Sequence, residues 1–289
     1  MAAVLLAMLA AVSFGALTVA VQWGIRRSGD PHVGALVAAT VGAAASAAVA
    51  APSAVVEGVH VDKLLPFFGA GLIAPGASQI LMTLAVRHAG SSRAAILMGT
   101  APLLSIVIAL MLLDESFRPL LVAGTVLIVL GSVTVAGERT GPEHLRARGF
   151  VLAILCAALF AARDNVVRWA ARNEPPSPLV AAAASLLAAA ALILVYLALM
   201  HRDHLRTRLR QAVPAFVPAG IAIALGYDAL LAALERGRVS VVSPLNATGS
   251  LWAVLFATLV IGRREYIGRR VTIAALLVVA GGAIIGLAR

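Results

Sequence analysis

The feature that most constrains this chain is a succession of apolar blocks, each about 20 residues long. An α-helix rises about 1.5 Å per residue, so a block of that length crosses the ~30 Å hydrocarbon core of a bilayer. Only 12% of the residues are charged and 61% are hydrophobic, whereas soluble domains carry roughly 25% charged residues. The chain is therefore predicted to be a multi-pass membrane protein.

Ten such blocks follow one another, and the polar connections between them are too short for a soluble domain. The first block has no basic residue ahead of its apolar core, which argues against a signal peptide. The predicted spans are about Ala2–Gly24, His32–Ala51, Pro66–Val86, Ala94–Leu113, Leu120–Ala136, Phe150–Ala171, Leu179–Met200, Pro214–Leu234, Val239–Ile261 and Val271–Leu287.

The last five spans repeat the first five. An offset of 146 residues pairs Phe14 with Phe160. The same offset pairs Trp23 with Trp169. Later spans correspond at offsets near 148 to 150 residues, so two halves share one plan. We assign these halves to residues 1–137 and 149–289.

An odd number of crossings fixes how the two halves are related. A unit that crosses the membrane five times leaves its copy starting on the opposite face. The predicted fold is thus an all-α membrane protein with ten transmembrane helices, arranged as two inverted five-helix repeats. Secondary transporters commonly use this arrangement and bind substrate between the repeats near the middle of the membrane.

Several short motifs add a family resemblance to this architecture. Pro102 in the fourth span is followed by Glu115 just beyond that span, and Ser243-Pro244-Leu245 opens the ninth. The run Gly124–Gly131, near the end of the first half, has a glycine at each end. The chain resembles the drug/metabolite transporter superfamily, in the form built from two EamA-like domains. The resemblance implies ten spans and transport of a small molecule.

The chain also departs from that family's pattern. Gly262-Arg263-Arg264 stands where the family has Gly-Glu-Arg, and Ser250 stands where a proline is common. The polar residues of the sixth span are unusual for the family. Its substrates therefore do not carry over to this chain.

The candidate substrate-binding residues are polar groups set deep inside the spans. Asp164 and Asp228 each lie 14 residues past the predicted start of their span, or ~21 Å into the membrane. Asn246 lies seven residues into the ninth span, ~10 Å from the face where the other two spans end. One layer should therefore hold the candidate residues Arg163, Asp164, Asn165, Asp228, Asn246 and, slightly deeper, Ser250.

Two interpretations of this layer stay open. In hydrocarbon an ionisable side chain is costly and usually faces a protein interior or a wet cavity, which favours a substrate site. A carboxylate in such a cavity can also carry a coupling proton. The structural alternative is that Asp164 pairs with Arg168 at i, i+4 along one helix.

The predicted function is a secondary transporter of the cytoplasmic membrane that moves a small polar or zwitterionic metabolite, or an amphiphilic drug, by alternating access. We expect no catalytic residue, metal site or cofactor, because nucleotide motifs and metal-ligand spacing are absent from the sequence, and no nucleic-acid partner. The alternative is a membrane-embedded enzyme or scaffold that acts on lipid-linked substrates. It would use Asp114 and Glu115 near Arg118, the one charged cluster at headgroup level that suits it.

The orientation of the chain is open between two arguments. The connections that follow odd-numbered spans hold 15 arginines, whereas the opposite side, termini included, holds 6 basic residues. The positive-inside rule then places both termini outside the cytoplasm. The family resemblance implies that both termini lie inside.

Overall fold

The computed structural model describes residues 1–28, 30–58, 60–89, 97–136, 147–172, 175–200, 205–261 and 269–288. All of the regular secondary structure in these ranges is helical. The helices are α1 Ala2–Ser28, α2 Pro31–Glu57, α3 Val61–Gly71, α4 Ser78–Ala89, α5 Ala101–Leu112, α6 Pro119–Ala136, α7 Ala147–Ala170, α8 Pro178–Met200, α9 Leu205–Arg236, α10 Val239–Ala247, α11 Gly249–Ile261 and α12 Arg269–Ala288.

Six segments of the described chain are long and apolar enough to cross a membrane, and shorter apolar helices accompany them. One of the six consists of α3 and α4, joined by a kinked segment over Leu72–Ala77. The predicted all-helical membrane fold is confirmed. The count of ten stays a prediction, because α5 is only 12 residues long and the ninth span is divided between α10 and α11.

The third, eighth and ninth predicted spans differ from the helices in a break or a starting residue, and the second helix continues to Glu57, past the predicted end at Ala51. The eighth begins at Leu205 rather than Pro214, because helical hydrogen bonding continues through a basic amphipathic segment that is too polar to be marked by hydropathy. The third is interrupted where Ala74, directly before Pro75, leaves the helical region at φ −149° and ψ 126°. The ninth is interrupted at Thr248, whereas Pro244 lies within α10.

The two halves run in opposite directions. A Cβ atom built on Gly124 of α6 would lie 2.8 Å from the carbonyl oxygen of Gly281 in α12. One built on Gly131 would lie 2.8 Å from that of Ala274, so α12 runs backward as α6 advances. The 150-residue offset equates Gly131 with Gly281 and Gly124 with Ala274. Exchanging the two halves therefore converts the contact between Gly124 and Gly281 into the contact between Gly131 and Ala274, as an inverted repeat requires.

Small residues let the two halves approach closely. α9 of the second half packs against α1 and α2 of the first, and α8 packs against α2 and α3. Gly71 of α3 meets the backbone of α8 at Ser185, and Gly220 of α9 meets Val41 of α2. In lipid, helix association depends on such close packing rather than on the hydrophobic effect. The interface between the halves is thus tightly closed along these helices.

Candidate functional site

Arg163 and Asp164 form a buried ion pair near the end of α7. The Nε of Arg163 donates to Oδ1 of Asp164 over 2.7 Å, and its Nη1 donates to the Tyr227 hydroxyl of α9 over 2.8 Å. Arg163 is 5% exposed and Asp164 is 3% exposed, so both point into the protein and not toward lipid. We call Arg163, Asp164 and Tyr227 the arginine cluster.

Aromatic rings hold the arginine cluster in place. The Cζ of Arg163 lies 5.4 Å from the centre of the Tyr227 ring and 5.9 Å from that of Phe160, within the range of cation–π attraction. Tyr227 also packs edge to face against Phe14 of α1, at 5.9 Å and 88°. Gly226 leaves room for the Phe14 ring, because a Cβ at position 226 would lie 2.8 Å from Cε1 of Phe14. Residues of both halves therefore fix the guanidinium.

Asn165 ties α7 to α5 and, through serine hydroxyls, to α10. Its Nδ2 donates to the carbonyl of Ser105 over 3.1 Å and to that of Ala161 over 2.9 Å. The Ser243 hydroxyl donates to the hydroxyl of Ser105 over 3.1 Å. The Oδ1 of Asn165 is buried without a hydrogen-bond partner among the described residues. Asn165 thus serves helix packing and also leaves one acceptor unused.

Asp228 faces a different neighbour from the arginine cluster. Its carboxylate lies beside the hydroxyl of Ser46 on α2. Neither Oδ1 of Asp228 nor Oγ of Ser46 makes a hydrogen bond of good geometry within the described chain. The described polar contacts of Arg163 are with Asp164 and Tyr227. The structure therefore brings Arg163 and Asp164 together with Tyr227, turns Asn165 toward Ser105 of α5, and sets Asp228 against Ser46.

Asn246 and Ser250 flank the interruption of the ninth span. Thr248 lies at this interruption, and its hydroxyl donates to the Leu245 carbonyl over 2.7 Å. The hydroxyl of Ser250 donates to the Ala247 carbonyl over 3.2 Å. Oδ1 of Asn246 is buried and has no partner in the described ranges. A meeting of Asn246 and Ser250 with the arginine cluster in one cavity stays a prediction.

The helix ends support the predicted common depth. Asp164 lies six residues before the end of α7 and Asp228 lies eight before the end of α9, which corresponds to ~9 Å and ~12 Å. Asn246 lies seven residues after α10 begins on the same side, at ~10 Å. We call this side, on which α1 begins and α12 ends, the terminal side.

Glu115 closes the terminal side by capping α10 of the other half. Its Oε1 accepts from the Val239 N–H over 2.8 Å. Its Oε2 accepts from the N–H and the hydroxyl of Ser240, over 3.2 Å and 2.6 Å. A carboxylate at a helix N-terminus satisfies unpaired N–H groups and matches the helix dipole. Glu115 is therefore occupied in joining the halves.

Arg168 near the end of α7 and Arg172 in the turn that follows it also help to close the terminal side. Nη1 of Arg168 donates to the last carbonyls of α9, at Leu234 over 3.0 Å and at Glu235 over 2.7 Å. Arg172 donates to the Leu113 carbonyl of the first half. Asp164 pairs with Arg163 instead of Arg168, so the i, i+4 pairing of the structural alternative does not form. The arginine cluster lies beneath a closed polar layer.

Replacing Glu115 with glutamine should loosen this closure. An amide has one acceptor oxygen in place of two, so the backbone N–H of either Val239 or Ser240 loses its partner, at a cost of about 1–3 kcal/mol. Thermal unfolding of the purified protein measures this loss. Asp114→Asn is the matched control, because Asp114 is exposed and asparagine tolerates its positive φ of 50°. Equal stability of both variants would contradict the cap.

Sequence reasoning missed two residues of these contacts. Tyr227 is one of three tyrosines and stands directly before Asp228 in an apolar block, a signal that could have marked it. Ser46 carries no such signal, since a serine in a helix usually bonds its own backbone. A small terminal-side pocket, lined among others by Phe67, Pro175 and Leu231, includes none of the predicted site residues.

The arginine cluster has no counterpart in the first half. The 146-residue offset that pairs Phe14 with Phe160 places Leu17 opposite Arg163 and Thr18 opposite Asp164. The Thr18 hydroxyl donates to the carbonyl of Phe14 in its own helix. The backbone plan is thus repeated, whereas the deep charges belong to one repeat.

Comparison with known proteins agrees with this fold. A sequence model of the EamA-like transporter family matches residues 1–137 and 147–287. No curated protein matches the chain. One solved structure, described only as a crystal structure of a protein, is similar with a TM-score of 0.78 and 23% identity, covering 99% of this chain and 96% of that one. Such a likeness shows the fold alone. With both halves matched, the chain belongs to the EamA-like transporter family and is a multi-pass membrane protein of the drug/metabolite transporter type.

Proposed function

We propose that this protein is a secondary transporter of the cytoplasmic membrane that moves a small polar or zwitterionic metabolite by alternating access. The observation that carries the proposal is the buried Arg163–Asp164 pair, held ~9 Å below the terminal side by residues of both halves. Charges at this depth are costly and mark substrate or ion pathways.

The chemistry of the pair favours a zwitterion. Arg163 and Asp164 neutralise each other in the closed structure. A ligand with a carboxylate and an ammonium group can exchange partners with them, since its anion can take the guanidinium while its cation takes the carboxylate. Neither protein charge is then left unpaired during binding, which avoids the large cost of an uncompensated buried ion. A singly charged ligand would leave one of the two without a partner.

Closure of the terminal side fits one half of an alternating-access cycle. Glu115, in a loop of the first half, caps α10 of the second, and Arg172, in a turn of the second half, donates to the carbonyl of Leu113 just past α5. Opening toward this side would break these bonds, while the arginine cluster keeps its own contacts within α7 and α9. Rocking of one repeat against the other would then expose a fixed site to each face in turn.

Uptake by liposomes that contain the purified protein tests this function, with radiolabelled amino acids and amines as a panel. Arg163→Lys should reduce uptake of the transported zwitterion at least about tenfold, because lysine cannot donate to Asp164 and Tyr227 in the fixed geometry of a guanidinium. Arg210→Lys, at an exposed position of α9, is the control and should retain uptake. Saturable uptake that Arg163→Lys leaves unchanged would refute this site.

A further inference from the structure

A second polar site lies where α9 of one half meets α2 of the other. Ser46 is fully buried, and its Oγ has no hydrogen-bond partner in the part of the chain that the structure describes. Oδ1 of Asp228 beside it is also buried without a partner there. The Ser46 hydroxyl lies within reach of this carboxylate, yet the two make no hydrogen bond of good geometry. Buried polar atoms are almost always paired, so this incomplete pairing points to a missing ligand. We propose that Asp228 and Ser46 form a proton-binding site, separate from the arginine cluster, that supplies the coupling ion of the proposed transporter.

The hydrogen-bonding capacity of the two groups favours a proton as the ligand. An ionised carboxylate offers about four acceptor sites, and the single hydroxyl of Ser46 can donate to only one of them. Protonation converts the carboxylate to a neutral acid whose O–H donates to Oγ of Ser46. The proton comes from water on one face and returns to water on the other, and no other bond changes. The neutral pair can then cross between the two states without a buried charge.

No cation of the described chain is placed to neutralise Asp228. The helices packed against α9 are α1, α2, α7, α8 and α10. Arg163 on α7 is engaged with Asp164 and Tyr227, and Arg168 bonds the end of α9. The thiol of Cys156 on α7 donates to the Ser78 carbonyl. The remaining charged or titratable side chains described on these helices lie toward the opposite face: Arg26, Arg27, His32, Arg148, Tyr196.

A metal ion fits this site poorly. Oxygen-binding cations take six or more ligands, often including carbonyls freed where a helix is broken. Here α2 and α9 are continuous helices around Ser46 and Asp228, so the carbonyls beside them are committed to the backbone, except that of Ala48, four residues before Pro52. The described residues also contain no group of three or more metal-binding side chains. A proton needs only one donor and one acceptor.

Infrared difference spectroscopy of the purified full-length protein tests the site without a substrate. A pH titration should show the carbonyl band of a protonated carboxylic acid, which Asp228→Asn removes. Ser46→Ala should shift that band to higher frequency, because the acid loses its hydrogen-bond acceptor, and Ser46→Thr should restore it. Asp62→Asn, at an exposed position where α3 begins, should leave the band unchanged.

Several outcomes would overturn the proposal. They are a wild-type protein without the band, a band that Ser46→Ala leaves at its frequency, and a band lost on adding sodium chloride but kept in potassium chloride, which would identify a sodium site. The serine variants retain the carboxyl group, so they decide the question even where Asp228→Asn does not fold. The inference rests on the proposed function. Failure of this inference can be distinguished from failure of the proposed function, because the spectra need no transport and liposome uptake needs no protonated acid.

Discussion

Replacing Arg163 with alanine should abolish uptake and lower the free energy of unfolding by about 3–5 kcal/mol. The carboxylate of Asp164 is 3% exposed and pairs with the guanidinium. Removal of the arginine leaves this carboxylate as an uncompensated charge, and the Tyr227 hydroxyl loses its donor. Thermal unfolding of the purified protein, with uptake measured in parallel, checks both effects.

A triple replacement separates stability from function. Arg163→Met, Asp164→Leu and Tyr227→Phe together remove every polar atom of the arginine cluster while keeping similar volumes. Replacing a buried ion pair with well-packed apolar groups often leaves the stability of a protein unchanged or improves it. The triple variant should therefore regain the stability lost in Arg163→Ala but remain inactive. Uptake by this folded apolar variant would show that substrate binds elsewhere.

Replacing Gly71 with alanine should be the most damaging single-methyl change, at a cost of about 3 kcal/mol in stability. A Cβ at this position would lie 2.0 Å from the carbonyl oxygen of Ser185 and 2.6 Å from its Cα. These atoms belong to the backbone of α8, so no side-chain rotation can relieve the clash. The third and seventh spans would have to separate, and the shift in unfolding temperature measures the result.

Gly69 provides the matched control within the same helix. A Cβ there meets no atom within 4 Å. Alanine favours a helix over glycine by up to about 1 kcal/mol, so Gly69→Ala should leave stability unchanged or raise it slightly. Similar losses for both variants would mean that α3 and α8 do not pack as closely as described.

The general fold could be predicted from the sequence because its causes are local and repeated. Block length determines which segments can span the membrane, and an odd number of crossings per half requires inversion. The start of α9 at Leu205 was missed, because a basic segment outside the apolar block continues the helix. The interruption at Thr248, next to Gly249, was missed because the apolar block continues past it.

The candidate site was only partly predictable for a geometric reason. Counting residues gives the depth of a side chain, since the rise per residue is constant. The direction in which a side chain points around its helix decides which neighbour it contacts. Sequence spacing does not show where the neighbouring helices lie. Tyr227 and Asp228 are adjacent in sequence, yet one contacts Arg163 and the other faces Ser46. Glu115 caps an N-terminus 124 residues away, a contact that no local pattern announces.

The pairing of Leu17 with Arg163 across the repeats has a consequence for how such a site can arise. Two identical chains related by a two-fold axis must present every residue twice. A homodimer of one repeat would therefore place two arginines and two aspartates about its axis, and a ligand could bind in either of two equivalent orientations. Fusion into one chain lets each repeat mutate alone. With one cation and one anion, the site holds a zwitterionic ligand in a single orientation. A symmetric homodimer of half-length chains could not do this, because each charge would be present twice.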